Sequence, residues 1–174
     1  PLLRATVCDR EAALEVAKEI ACTHKVRRRL SYLPLDFSSE PIPGTYDVIW
    51  YSNVLHIYSP EENQAIFRRA WAALRPGGRF IIQDAFLHDR KGLYPVEASL
   101  FAVSMLLFTR GGNTYSVPET SKWLKEAGFV GVKQIPLKKG TEDWEDGILE
   151  ASVPGPRPKT TVRRTRSSRN RKAR

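Results

Sequence analysis

The chain has 174 residues, enough for one domain with a buried core, and its 41% apolar and 10% aromatic content excludes a wholly disordered protein. No apolar run reaches the roughly 20 residues of a membrane span and no signal-peptide pattern opens the sequence, so a cytoplasmic protein without membrane contact is expected. The net charge of +9 would suggest a nucleic-acid partner, but its location changes that inference: nine of the 28 Lys and Arg, and none of the 19 Asp and Glu, lie in residues 154–174, PGPRPKTTVRRTRSSRNRKAR.

The body, residues 1–153, is therefore neutral. The tail holds three prolines and repels itself, so it is expected to be disordered. It suits either a solvated extension or a segment that binds nucleic acid by counterion release. Cys8 and Cys22 show no CxxC spacing, so neither a disulfide framework nor a metal site is expected.

Strand and helix signals alternate along the body. Ala5 to Cys8 is a short apolar run, and REAALEVAKEIAC then reads as a helix with Ala13, Val16, Ala17 and Ile20 on one face. RLSYLPLD reads as a strand ending at Asp36, before the loop SSEPIPG. YDVIWYSN is nearly continuous in apolar character, as strands covered on both faces are. Ser59, Pro60 and Glu62 form a capping box with proline in the first turn, and the helix they start carries Ile66, Ala70 and Leu74 on one face before RPGG stops it. RFIIQDAF is a further strand. Residues 95–110 form an apolar helix, GGNTYS breaks it, and Ser116 and Glu119 cap another helix that ends at Gly128. VGVKQIP and DGILEASV read as closing strands.

Crossovers of this length imply a mostly parallel sheet with helices on both faces, an α/β fold whose ligand site lies beyond the carboxyl ends of the strands. Asp9, Asp36, the group Ser52, Asn53 and His56, and Asp84 all fall at such ends. If YDVIWYSN and RFIIQDAF are neighbours, their ends lie about 5 Å apart and His56 and Asp84 face one cleft.

The stretch YDVIWYSNVLHIYSPEENQAIFRRAWAALRPGGRFIIQDAFL, with the apolar helix, GGNTYS and AGFVGVKQIPL after it, resembles class I S-adenosylmethionine-dependent O-methyltransferases of the caffeate and hydroxyindole type. That resemblance implies a Rossmann-like fold, S-adenosyl-L-methionine as cofactor, and a hydroxyl on a small aromatic molecule as substrate. Residue by residue, it places Asp9 at the cofactor ribose, and Asp36 and Phe37 at the adenine. Ser52 and Asn53 match the turn beside the methionine part. It makes His56 the general base and Asp84 the acid that orients it. Each position also has a local reading. Asp9 suits a cap for the helix after it, Asp36 an Asx turn, and Phe37, Trp71, Phe80 and Trp123 suit core positions. Two positions depart from the family pattern: Ile57 stands in place of an Asp, and Thr114 stands where plant members have a second acid.

The resemblance also implies a first strand with a GxGxG loop about twenty residues before the ribose acid, whereas only eight residues precede Asp9. Residues 1–153 are thus expected to be a partial catalytic domain of a longer, homodimeric parent, weakly active or inactive alone. A degenerate body that binds nucleic acid through its tail is the other reading. A nicotinamide-dependent reductase is disfavoured, because the chain has neither GxGxxG nor a Tyr-x-x-x-Lys pair.

Overall fold

The computed structural model describes residues 3–88, 94–135 and 146–156; the expectations for the tail beyond residue 156 lie outside the described residues. Ala5–Asp9 (β1) and Leu30–Pro34 (β2) pair in parallel, in register from Ala5 opposite Leu30 to Asp9 opposite Pro34. Helix Glu11–Cys22 (α1) and a 3-10 turn over Lys25–Arg29 make the crossover between them. A second sheet holds Tyr46–Ser52 (β3), Leu74–Leu87 (β4), Tyr115–Ser116 (β5), Val130–Ile135 (β6) and Asp146–Ser152 (β7). Its order is β3-β4-β7-β6, with β5 beside the end of β4. β3 and β5 run parallel to β4, while β7 runs antiparallel to β4 and β6, so parallel pairings predominate in an α/β fold. Among the described residues β1 pairs only with β2, and β3 only with β4, so each keeps one unpaired edge.

Two capping boxes fix the starts of Pro60–Ala73 (α2) and Val117–Glu126 (α4). The Ser59 hydroxyl accepts from Glu62 N and the Ser116 hydroxyl from Glu119 N, while each glutamate returns to the cap's own N–H. Each helix has proline in its first turn, where no hydrogen bond is lost. α2 then buries Asn63, Ile66, Phe67 and Ala70, a stripe at helical spacing. Along β4 the alternation puts Phe80, Ile82, Asp84 and Phe86 on one face, all buried. Phe67 meets Tyr51 and Phe80 edge-on, Phe80 stacks on Phe129 at 5.3 Å, and Tyr115 meets Trp123 at 5.0 Å. Full burial of each of these large rings contributes about 1.5–3 kcal/mol. This aromatic core is the platform on which the end of β4, and Asp84 with it, is held.

Three expectations change. α1 buries Leu14 and Ala21 and leaves Val16 and Ile20 exposed, because among the described residues it packs mainly on the two short strands β1 and β2 and the 3-10 turn between them. β3 is covered on one face only: Tyr51 is buried, but Val48 and Trp50, on the opposite face by alternation, are 39% and 54% exposed. Trp71 is not core. It is partly exposed and its indole N–H donates to Gly128 O at 3.2 Å, beyond the end of α4. Trp123 and Phe80 are buried as expected. No described helix is long and apolar enough to cross a membrane.

Candidate active site

β3 ends in a tight turn that aims the following residues at β4. Asn53 adopts φ +54, a left-handed conformation that Asn tolerates better than most residues, and its N–H donates to Gln83 O at 2.9 Å. Ser52 lies beside it, with its hydroxyl 3.4 Å from Gln83 Oε1. A 3-10 turn over Leu55–Ile57 follows and carries His56.

Asp84 is fully buried near the end of β4 and accepts three hydrogen bonds. Its Oδ1 takes His56 Nδ1 at 2.8 Å and Ala85 N at 2.9 Å, and its Oδ2 takes Leu55 N at 2.9 Å. The carboxylate thus fixes both the ring and the backbone next to it. An acceptor-only carboxylate on Nδ1 requires the proton there, so the neutral ring keeps its lone pair on Nε2. The His56 side chain is 14% exposed, and Phe101 of helix Val96–Phe108 (α3) meets its ring edge-on at 4.8 Å. That arrangement can take a proton at Nε2 and stabilise the resulting imidazolium.

The other sequence-derived positions gather at the ends of β1 and β2. Asp9 closes β1, and Leu35 N donates to its carbonyl at 3.0 Å, which sets the start of the Asp36 loop beside it. Asp9 does not cap α1: its Oδ1 accepts from Arg10 N at 2.7 Å, and Arg10 is itself the cap residue. Asp36 does form an Asx turn, accepting from Ser38 N at 3.1 Å and from the Ser38 hydroxyl at 2.5 Å. Those hydrogen bonds, the hydroxyl's first, hold its carboxyl below the usual carboxylate range. Phe37 is half-buried and packs edge-on against Tyr51 at 6.3 Å and Tyr58 at 6.1 Å. It ties the β2 loop to the main core and still presents an intermediate exposure.

Asp9 and Asp36, at the ends of the paired strands β1 and β2, are carboxylates that can accept from hydroxyl and amine groups, and Phe37 follows Asp36 with a half-buried ring; the Asn53 turn ends β3 in the other sheet. The 174 residues contain no GxGxG run. Among the described residues no three His, Cys, Asp or Glu side chains cluster as a metal site.

The sequence reading missed several residues that hold the turn. Asn63 on α2, fully buried, donates from Nδ2 to Leu55 O and Tyr58 O, each at 2.9 Å, and accepts from the Tyr51 hydroxyl at 3.0 Å. The Tyr115 hydroxyl donates to Tyr58 O at 2.7 Å. A polar residue within the Ile66, Phe67 and Ala70 stripe was the available signal for Asn63. Thr114 is buried with its hydroxyl unpartnered, so the place that the resemblance gives to a second acid makes no bond to His56.

Comparison with known proteins agrees with this architecture. The family model for the O-methyltransferase domain matches residues 1–130. A 3-hydroxy-5-methyl-1-naphthoate 3-O-methyltransferase of Streptomyces sahachiroi is 30% identical over 135 residues, covering 78% of this chain and 39% of that protein. The apo crystal structure of the S-adenosylmethionine-dependent methyltransferase SibL superposes with TM-score 0.75 at 30% identity, over 87% of this chain and 44% of its own. An O-methyltransferase family 2 protein of Planctomyces limnophilus in complex with apigenin gives TM-score 0.76 at 28% identity, over 86% of this chain and 42% of its own. The chain thus spans well under half the length of these relatives, and with a class I methyltransferase fold and a matching domain model it belongs to the O-methyltransferase family.

Proposed function

We propose that these residues form the proton-accepting and nucleoside-binding part of an S-adenosyl-L-methionine-dependent O-methyltransferase acting on a hydroxyl of a small aromatic molecule. The observation that carries the reading is the buried Asp84 on His56 Nδ1, at the carboxyl ends of two parallel strands. When bound, the cofactor supplies an electrophilic methyl group on sulfonium sulfur. Asp9 accepts from the ribose hydroxyls, and Asp36 and Phe37 meet the adenine. With the cofactor bound, His56 Nε2 would take the phenolic proton as the hydroxyl oxygen gains the methyl carbon and the sulfonium leaves as a neutral thioether, and Asp84 would stabilise the imidazolium that results. A free phenol is a much weaker acid than a free imidazolium, so the proton moves as the oxygen gains its bond to carbon and not before. Phe101 limits how the ring can turn.

On its own the chain offers the ribose and adenine contacts without a glycine-rich loop, and weak cofactor binding is expected. Calorimetry with S-adenosylhomocysteine tests that: micromolar affinity would contradict it. Methyl transfer from labelled cofactor to a panel of naphthols and flavonoids, at high cofactor concentration, tests the base. His56→Gln should slow the transfer that the unmodified chain shows by up to about 10²–10⁴-fold; equal rates would remove His56 from the role.

A further inference from the structure

Three elements converge on the backbone that carries His56. Leu55 N is held by Asp84 on β4, Tyr58 O by the Tyr115 hydroxyl on β5, and both Leu55 O and Tyr58 O by Asn63 on α2. Asn63 grips the turn on both sides of the histidine. Its amide is also fully used: two N–H bonds go to the carbonyls and the oxygen accepts from Tyr51. That last bond fixes the amide orientation, because a Tyr51 donor on Oδ1 leaves Nδ2 facing the turn. Burial pushes the Tyr51 phenol well above its ordinary value, so it stays a donor across the working pH range.

We infer that Asn63, locked by Tyr51, is a positioning residue that holds the His56 turn so that Nδ1 stays on Asp84 and the lone pair stays on Nε2. The inference rests on the proposed role of His56 and adds the device that sets its tautomer. A buried amide on a helix stripe is otherwise a cost, since an apolar residue of that size would pack there without needing three partners. If its hydrogen bonds served stability alone, their loss would lower the melting temperature and leave the ring untouched. A positioning role moves the ring as well.

The test reads the ring directly. The chain has three histidines, and His24 and His88 are exposed, so histidine-labelled nitrogen NMR gives a short spectrum in which His56→Gln identifies the His56 signals. The unmodified chain should show the Nδ1–H tautomer at His56. Asn63→Leu keeps the branching of the side chain at Cγ and removes all three bonds, and should shift the tautomer ratio about 5-fold toward Nε2–H, as expected for losing one ordinary hydrogen bond's worth of orientation. Tyr51→Phe removes a single oxygen from the lock and should give a smaller shift in the same direction. An unchanged His56 tautomer in folded Asn63→Leu overturns the inference, and if that variant does not fold, an unchanged tautomer in Tyr51→Phe does so. These spectra need no turnover, so their outcome is separate from the methyl-transfer result that tests His56 itself.

Discussion

Gly112 lies against the carbonyl oxygen of His56 so closely that a side chain has no room: a Cβ built there would collide with that oxygen and come within 2.8 Å of Ile57 O. The second glycine of GGNT is therefore a backbone contact of the histidine turn. Its N–H donates to the Thr109 hydroxyl at 2.8 Å, and that hydroxyl donates to Met105 O at 2.7 Å, so the same residue closes α3. Gly112→Ala must push the turn off Asp84 or α3 off the turn, costing about 1–3 kcal/mol as overpacking does. Thermal unfolding should report a drop of roughly 2–4 °C per kcal/mol for a chain of this size. Gly111→Ala, whose Cβ would meet Ser59 Cβ at 3.2 Å, should be milder. Equal melting temperatures for Gly112→Ala and the unmodified chain would show that the turn yields freely.

Asp84→Asn separates the charge of the buried carboxylate from its shape. An amide can accept from Leu55 N or from His56, but not hold all three donors that now converge on the carboxylate. The unsatisfied buried groups should cost about 1–3 kcal/mol in urea unfolding. Methyl transfer, if His56 is the base, should fall at least about 10-fold, with His56→Gln falling further, up to the 10²–10⁴ that positioned proton transfer contributes. The double variant should be no slower than His56→Gln alone, because Asp84 acts only through the ring. Additive losses would mean that Asp84 touches the reaction by another route.

The alkaline limit of stability should be set by tyrosine. Burial raises the phenols of Tyr51, Tyr58 and Tyr115 above their ordinary value. An acid whose folded pKa is raised is stabilised in its neutral form, so the associated stability is complete below the unfolded value of about 10 and is lost as pH rises beyond it. These three rings should therefore ionise only beyond their ordinary value and together with unfolding, read as phenolate absorbance against circular dichroism. Phenolate formation at Tyr51, Tyr58 and Tyr115 at the ordinary value without loss of structure would contradict the burial. At the acid end the sign reverses: Ser38→Ala should raise the Asp36 midpoint toward the ordinary carboxylate value, read by carbon NMR, because the hydrogen bonds that lower it come from Ser38.

What the sequence made legible follows from which interactions are local. The two capping boxes, the β3 and β4 strands and their parallel pairing are written in short-range patterns, and all appear. The His56 and Asp84 encounter, 28 residues apart, needed only that two strands be neighbours. What stayed hidden depends on partners far in sequence. The buried face of α1 turned on how little sheet lies against it, and Trp71 left the core for a carbonyl 57 residues away. The sequence marks Asn63 only by its polarity within an apolar stripe, because its role comes from carbonyls that an extended chain does not place.

The unpaired edge of β3 and the end of α3 both expose apolar side chains. Val48 and Trp50 are exposed on that strand, and Leu106, Leu107 and Phe108 at the end of α3 are 73–82% exposed. Exposed apolar residues clustered on a helix end favour self-association and dye binding, and so do strand edges without hydrogen-bond partners. The chain should bind the dye ANS and sediment with a concentration-dependent mass. Replacing Leu106 and Phe108 by Glu removes two of the most exposed apolar side chains without touching the core, so melting should change by less than about 0.5 kcal/mol per site. ANS fluorescence and self-association should both fall. If the dye signal persists in that variant but disappears in Trp50→Glu, the strand edge rather than the helix is the adhesive surface; if both variants keep it, the exposed apolar groups on neither element are responsible.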